Sequence, residues 1–296
     1  MKTIETIADF TESTVAPDPK PLAVQRCEIL GTPVDLVDYE TTFKVLQNWR
    51  ASDQRQYVVL ATASDIQKCH HPAMRAAALQ AGLSLPDGIA ITLAAKMLGH
   101  HPQGRVIGPE LMLRVCDRGR IYGYRHYFYG GTTIEVIKKL KQRLIQRYPG
   151  LDIVGYHSPP FRPLNREEDQ LIIQDINACR PDVVWVGLGG TKQIRWMADH
   201  VDRVNAPVMI GVGAAFDFHS GVIKRAPAWM QRGGIEWIYR LCKEPVKITP
   251  RIRLILIFLA RVATHALTTR ITRCPDVLFS NQRATNPSTF RFSKYH

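Results

Sequence analysis

The six cysteines, Cys27, Cys69, Cys116, Cys179, Cys242 and Cys274, contain no CxxC pair and no zinc-ligand spacing. That excludes a zinc module or a disulfide scaffold and fits reduced thiols in a cytosolic compartment. Long apolar runs are also missing, since a bilayer-spanning helix needs ~20 residues. The nearest run, 254-LILIFLARVATHAL-267, is interrupted by Arg261 and His265 and preceded by Arg251 and Arg253. The opening MKTIETIADFTESTVAPDPKPL is acidic and polar, without the basic start and apolar centre of a signal peptide. It reads as a disordered leader over 1–24. GxxxxGK[ST] is absent, and so is GxGxxG followed about twenty positions on by an acid, which excludes the common nucleotide-binding motifs. There is no DxD. Acids are few, 26 against 39 Lys and Arg, for a formal charge of +13. The excess points to an anionic partner: a nucleotide, a diphosphate, a lipid head group or nucleic acid. Nucleic acid ranks last, because no recognised motif or aromatic–basic interleaving accompanies the charge.

What is present is alternation. Short apolar runs such as 57-YVVLATA-63, 125-RHYFYGG-131, 182-DVVWVGLGG-190 and 207-PVMIGVGAAFDF-218 read as buried strands ending in turns. Between them lie helical patterns, among them 41-TTFKVLQNWRAS-52, 72-PAMRAAALQAG-82, 133-TIEVIKKLKQRLIQRYPG-150, 166-REEDQLIIQDINACR-180 and 191-TKQIRWMADH-200. Strand, turn and helix in repetition predict an α/β protein with a Rossmann-like, mostly parallel sheet flanked by helices. The alternation stops near 245. From 251 to 296 there are eight Lys and Arg and one acid, Asp276. This segment predicts a basic helical appendage, 246–296, after an α/β domain of 25–245. A helix lying on an anionic membrane surface and a helix packed on the body are both compatible with it, and the local charge asymmetry favours the first.

Open parallel sheets bind ligands outside the carboxyl ends of their strands. Four turns belong there: 61-ATAS-64, 130-GGT-132, 187-GLGGTKQ-193 and 211-GVGAAFD-217. Glycines bring backbone N–H groups close to a phosphate, and a following helix start favours negative charge. One such turn is no more than a tight connection; four in one sheet favour a phosphate-bearing ligand.

Ordered blocks take the reading further. LPDGIA, the Arg-Val-Ile-Gly of 105-RVIGPELML-113, FYGG, GYHSPPF, INACRPDVVWVGLG, KQ, RWMADH, GVGAAFDFHSG, RAPAWMQRGGIEWIYRL and CKEP succeed one another between Cys27 and Pro245. In that order and at those separations the chain resembles the WecG/TagA/CpsF family of bacterial glycosyltransferases. The resemblance implies inverting transfer of a hexose or N-acetylhexosamine-type sugar from a UDP-sugar to a polyprenyl-diphosphate-linked saccharide, for cell-surface or exopolysaccharide synthesis. It implies a cytoplasmic enzyme, peripheral on the inner face of the cytoplasmic membrane, that needs no metal and no other cofactor. The implied partners are the UDP-sugar, the lipid-linked acceptor and an anionic membrane surface, not nucleic acid; self-association into a homo-oligomer stays open.

By this resemblance Asp87 is the catalytic base that takes the acceptor hydroxyl's proton, and Arg105 holds the diphosphate and offsets charge on leaving UDP. Thr62, Ser64, Gly130, Gly131, Gln193 and Asp217 are the implied UDP-sugar contacts, and Phe161 is a candidate to face the uracil. Each has a plainer local reading. Asp87 fits a turn or helix cap, Arg105 a solvated arginine, Gln193 a helix-start side chain and Asp217 a loop carboxylate bonded to its own backbone. Three departures stand out: Ser64 replaces the family's asparagine, Thr191 its proline and Ile194 its glutamate. They motivate a second reading, a non-catalytic nucleotide-sugar-binding or scaffold subunit of a polysaccharide assembly complex.

Overall fold

A computed structural model of the chain describes residues 24–272, apart from 70, 228, 231–232, 234–235 and 244. The leader expected over 1–24 lies outside this range but for residue 24, as does the tail beyond 272. The described part opens with an antiparallel hairpin, β1 (Arg26–Ile29) and β2 (Thr32–Asp35). Then come α1 (Tyr39–Ala51), β3 (Gln56–Ala61), α2 (Ala63–Lys68), α3 (Pro72–Gln80), β4 (Leu83–Pro86), α4 (Ile89–Met97) and α5 (Gly108–Gly119). After a turn of 3-10 helix follow β5 (Arg125–Gly130), α6 (Ile134–Arg147), β6 (Asp152–His157), α7 (Arg166–Ala178), β7 (Val183–Gly187), α8 (Gly190–His200), β8 (Val208–Gly211) and α9 (Ala215–Ser220). The described chain ends with α10 (Glu236–Lys243) and α11 (Pro245–Thr272).

Six strands form one sheet in the order β4-β3-β8-β7-β5-β6, and every neighbouring pair is parallel. The expected α/β sheet is therefore present. Parallel strands covered on both faces must be apolar on both, and β7 illustrates how. Val183 and Trp185 enter one core with Phe43, Leu46, Val115, Ile137 and Leu140, from α1, α5 and α6. Val184 and Val186 enter the opposite core with Ala77, Ile172, Ile176, Ile194 and Met197, from α3, α7 and α8. The two-residue period of a strand divides its side chains between these layers.

A third core joins the hairpin to α2, α4 and α11. Cys27, Ile29, Val34 and Leu36 pack there with Ile66, Ile91, Ala94, Ala95, Phe258 and Val262. Asp35, fully buried, accepts from Arg26 at 2.7 and 3.0 Å and from Ser84 N at 2.7 Å, which fixes the hairpin to β4. Along α11 the residues Ile248, Phe258, Val262 and Ala266 are buried, whereas Val246, Leu256, Ile257 and Leu267 stay exposed. Gln67 of α2 donates to the Leu254 carbonyl at 2.6 Å. The C-terminal helix thus lies against the body along one face and keeps an apolar face and basic residues outside. No helix among the described residues is long and apolar enough to cross a membrane.

Candidate active site

Because all six strands run the same way, their carboxyl ends share one edge. At the β5, β7 and β8 ends, three glycine turns converge. Gly130 has φ 123°, and a Cβ there would meet the Gly187 carbonyl carbon at 2.6 Å. Only glycine permits that approach. Gly131 N donates to the Gly187 carbonyl at 3.0 Å. Gln193, buried in the first turn of α8, accepts through Oε1 from Gly213 N at 2.9 Å and Gly189 N at 3.3 Å, and so clamps the β7 and β8 turns together. Above these turns lies a cleft of about 860 Å³ whose wall includes Gly131, Gly189, Lys192, Gly213 and Asp217. Its outer wall is the loop 159–163, where Phe161 is 85% exposed and Lys192 Nζ stands 5.9 Å from its ring centre. Arg162 grips Glu168 at 2.6 and 2.8 Å and anchors that loop to α7. Thr132 donates to Asp217 Oδ1 at 2.8 Å, orienting the carboxylate at the cleft floor.

The β3 and β4 ends carry a second group. Asp87 directly follows β4, and its N–H donates to the Ala61 carbonyl at 3.1 Å. Its carboxylate does not cap α4: Gly88, at φ 88°, holds the cap position, and the helix start receives no side-chain hydrogen bond. Burial pushes the Asp87 carboxyl up to about 7; neighbouring Asp65 and Glu236 push the same way, and Arg105 and Arg225 oppose them. The loop bearing Arg105 is pinned beside it, since Val106 N donates to the Pro86 carbonyl at 3.1 Å and Ile107 N to the Tyr39 hydroxyl at 3.0 Å.

Thr62 has a structural role at its helix start. Its hydroxyl caps α2, accepting from Asp65 N at 3.2 Å and donating to Asp65 Oδ2 at 2.7 Å. Ser64 lies half-buried in the same first turn. The expected residues therefore divide: Gly130, Gly131, Gln193 and Asp217 build or line the cleft, while Asp87, Arg105, Thr62 and Ser64 surround the β3 and β4 ends. β8, paired with both β3 and β7, joins the two groups. Of the departures, Ile194 is buried in the core beneath the cleft and is no part of its wall.

Sequence reasoning passed over Asp65, Tyr39, Arg225 and Glu236. Asp65 had a signal, because Thr-x-x-Asp ahead of a helix is a capping pattern. The others reach Asp87 only through the tertiary fold. Among the described residues no three His, Cys, Asp or Glu side chains are grouped to hold a metal.

An open parallel sheet offers its ligands this edge, and the edge carries a carboxyl that burial raises to about 7, the kind of perturbed group that clusters at functional sites. Together they mark an α/β enzyme. Residues 27–272 match the Glycosyl transferase WecG/TagA/CpsF family, and the chain belongs to that family. Among its relatives is an N-acetylglucosaminyldiphosphoundecaprenol N-acetyl-beta-D-mannosaminyltransferase from Bacillus spizizenii, 31% identical over 218 residues, 72% of this chain and 82% of that protein. A Staphylococcus aureus enzyme of the same name is 32% identical over 184 residues, 62% of this chain and 70% of its own. The chain is a glycosyltransferase.

Proposed function

We propose that the enzyme moves a hexose or N-acetylhexosamine-type sugar from a UDP-sugar to a polyprenyl-diphosphate-linked saccharide, with inversion. UDP lies in the cleft, its diphosphate over the glycine turns, where no side chain stands in the way, and near Lys192, its ribose toward Asp217 and its base toward Phe161. Asp87 takes the proton of the acceptor hydroxyl. The hydroxyl oxygen forms its bond to the anomeric carbon on the face opposite UDP, and the carbon–oxygen bond to the β-phosphate breaks with its electron pair leaving on UDP. Arg105 offsets the charge that develops there. Arg105, Lys192 and the glycine turns meet the diphosphate without a metal or other cofactor, in keeping with the missing DxD.

The acceptor follows from the relatives, whose names specify a diphosphoundecaprenol-linked N-acetylglucosamine. The exposed apolar residues of α11, with Arg251, Arg253 and Arg261 on the same helix, suit docking on the anionic inner face of the cytoplasmic membrane, where such a lipid resides.

The observation that carries this reading is the half-buried Asp87, uninvolved in capping and with its proton affinity raised toward neutrality, on the same sheet edge as a cleft of about 860 Å³. A panel of UDP-sugars offered with a lipid-diphosphate N-acetylglucosamine acceptor tests it. Transfer from one donor, with an inverted product, is the expected result; UDP-sugar binding without transfer to any such acceptor would instead favour a non-catalytic binding subunit.

A further inference from the structure

Arg225 is a cation that the glycine-lined cleft does not use. It follows α9, is not part of the cleft wall, and its guanidinium is only 14% exposed. It stands 5.5 Å from the Phe218 ring and pairs with Glu236, the first residue of α10, itself 23% exposed. The fork between them is loose, with Nη2–Oε2 at 3.1 Å and Nε–Oε1 at 3.5 Å. The chain closes its other two-point forks more tightly: Arg162 on Glu168 at 2.6 and 2.8 Å, Arg26 on Asp35 at 2.7 and 3.0 Å. A sequestered pair with slack geometry recovers little of the hydration both groups gave up. A diphosphate diester, with one negative charge on each phosphate and several acceptor oxygens, would satisfy that guanidinium better.

Contacts tie the segment that leads into Arg225 to the Arg105 loop next to Asp87. His219 Nε2 donates to the Pro109 carbonyl at 2.8 Å, tying α9 to the start of α5, just after the Arg105 loop. That loop is hydrogen-bonded to Pro86, the neighbour of Asp87. Arg225 and Glu236 both act on the Asp87 carboxyl, with opposite sign. Trp237 and Ile238, next along α10, are exposed apolar side chains. An acceptor sugar whose hydroxyl meets Asp87 carries its own diphosphate one ring away from the reacting atom. The donor's diphosphate occupies the other half of the edge, over the turns.

We infer that Arg225 is the phosphate ligand for the diphosphate of the lipid-linked acceptor, and that Glu236 holds its guanidinium until that acceptor arrives. On binding, the guanidinium exchanges the Glu236 carboxylate for phosphate oxygens. The inference rests on the acceptor proposed above.

Equilibrium binding to the full chain tests it with three probes: a short-chain prenyl-diphosphate N-acetylglucosamine, its monophosphate counterpart, and UDP. Arg225→Ala and Arg225→Lys are expected to weaken the diphosphate probe roughly tenfold or more, to shrink its advantage over the monophosphate, and to leave UDP within about twofold. Glu236→Gln, which keeps Arg225 and removes its rival, is expected to tighten the diphosphate probe about two- to threefold. UDP affinity falling in parallel in the Arg225 variants, or a diphosphate affinity that moves in none of the three variants, would overturn the inference. A wild-type chain that binds UDP but not the diphosphate probe would sink the acceptor reading, and this inference with it. A wild-type chain that binds the probe, with Arg225 variants that bind it equally, would remove Arg225 alone.

Discussion

The edge formed by β5, β7 and β8 is made of backbone, whereas the edge formed by β3 and β4 is made of ionisable side chains. In the first, three glycine turns meet, with the Gly131, Gly189 and Gly213 N–H groups bonded within them, and Gln193 locks two of the turns to each other. In the second, Asp87, Asp65, Arg105, Arg225 and Glu236 act on one another, and α10 and α11 lie alongside. The materials suit different tasks. Under the proposed function the fixed turns receive a nucleotide diphosphate, which presents the same shape at every turnover, and the carboxyl that burial raises toward neutrality receives the proton that changes hands.

The largest effect that would break this contrast is expected at Asp87. Asp87→Asn should lower kcat by about 10²–10⁴ while UDP affinity holds. In the wild type, kcat/KM should climb with pH, with a midpoint near 7, because the ionised carboxylate is the working form. Turnover of the variant within twofold of wild type would remove Asp87 from the chemistry.

On the backbone side, Gly130→Ala drives a methyl into the Gly187 carbonyl at a φ of 123° and should cost about 3 kcal/mol in a denaturant melt. Gly189→Ala sharpens the point. Its φ of 77° also disfavours a side chain, but open space surrounds the added methyl. It should cost about 1 kcal/mol in stability and act mainly on UDP affinity. Equal losses of stability at the two positions would contradict the close-approach argument.

The third effect is stability against pH. Asp87 has a higher proton affinity folded than unfolded, so ionising it costs the folded state. The cost is absent below the unfolded value near 4, grows as pH rises, and is complete above about 7. Asp87→Asn should therefore melt higher than wild type at pH 8, by on the order of 2 kcal/mol, and the gap should close toward pH 4; a pH-independent gap would refute the assignment. A comparable effect is expected from Gln193→Ala, which leaves two turn N–H groups without their acceptor and should cost about 1–2 kcal/mol, with a matching loss of UDP affinity.

The parallel sheet was legible because β5, β7 and β8 are apolar runs closed by glycine. β4 was not: Leu83–Pro86 is four residues ending in proline, too short for a period and readable as the approach to a turn. The six-residue helices α2 and α9 fell below helical periodicity in the same way. Asp87 stood out through its Pro-Asp-Gly setting, which equally suggested a cap. The fold gives the cap position to Gly88 and leaves Asp87 half-buried, whereas Thr62 caps its helix. Arg225 and Glu236 lie eleven positions apart, with nothing local to pair them; the path from α9 to α10 does so.

The strand order has a consequence for how the molecule is assembled. β8, the last strand of the sheet to be synthesised, is inserted at its middle, between β3 and β7. Until residue 211 has emerged, β3–β4 and β5–β6–β7 are two half-sheets with no ladder between them. Closing that gap joins residues about 150 positions apart in sequence, Gln56 with Val208, a pairing that pays a large loop-closure entropy and is slow. The same insertion brings Asp87 and the glycine turns onto one continuous sheet edge, so the final long-range pairing of the sheet is also the step that assembles the candidate site.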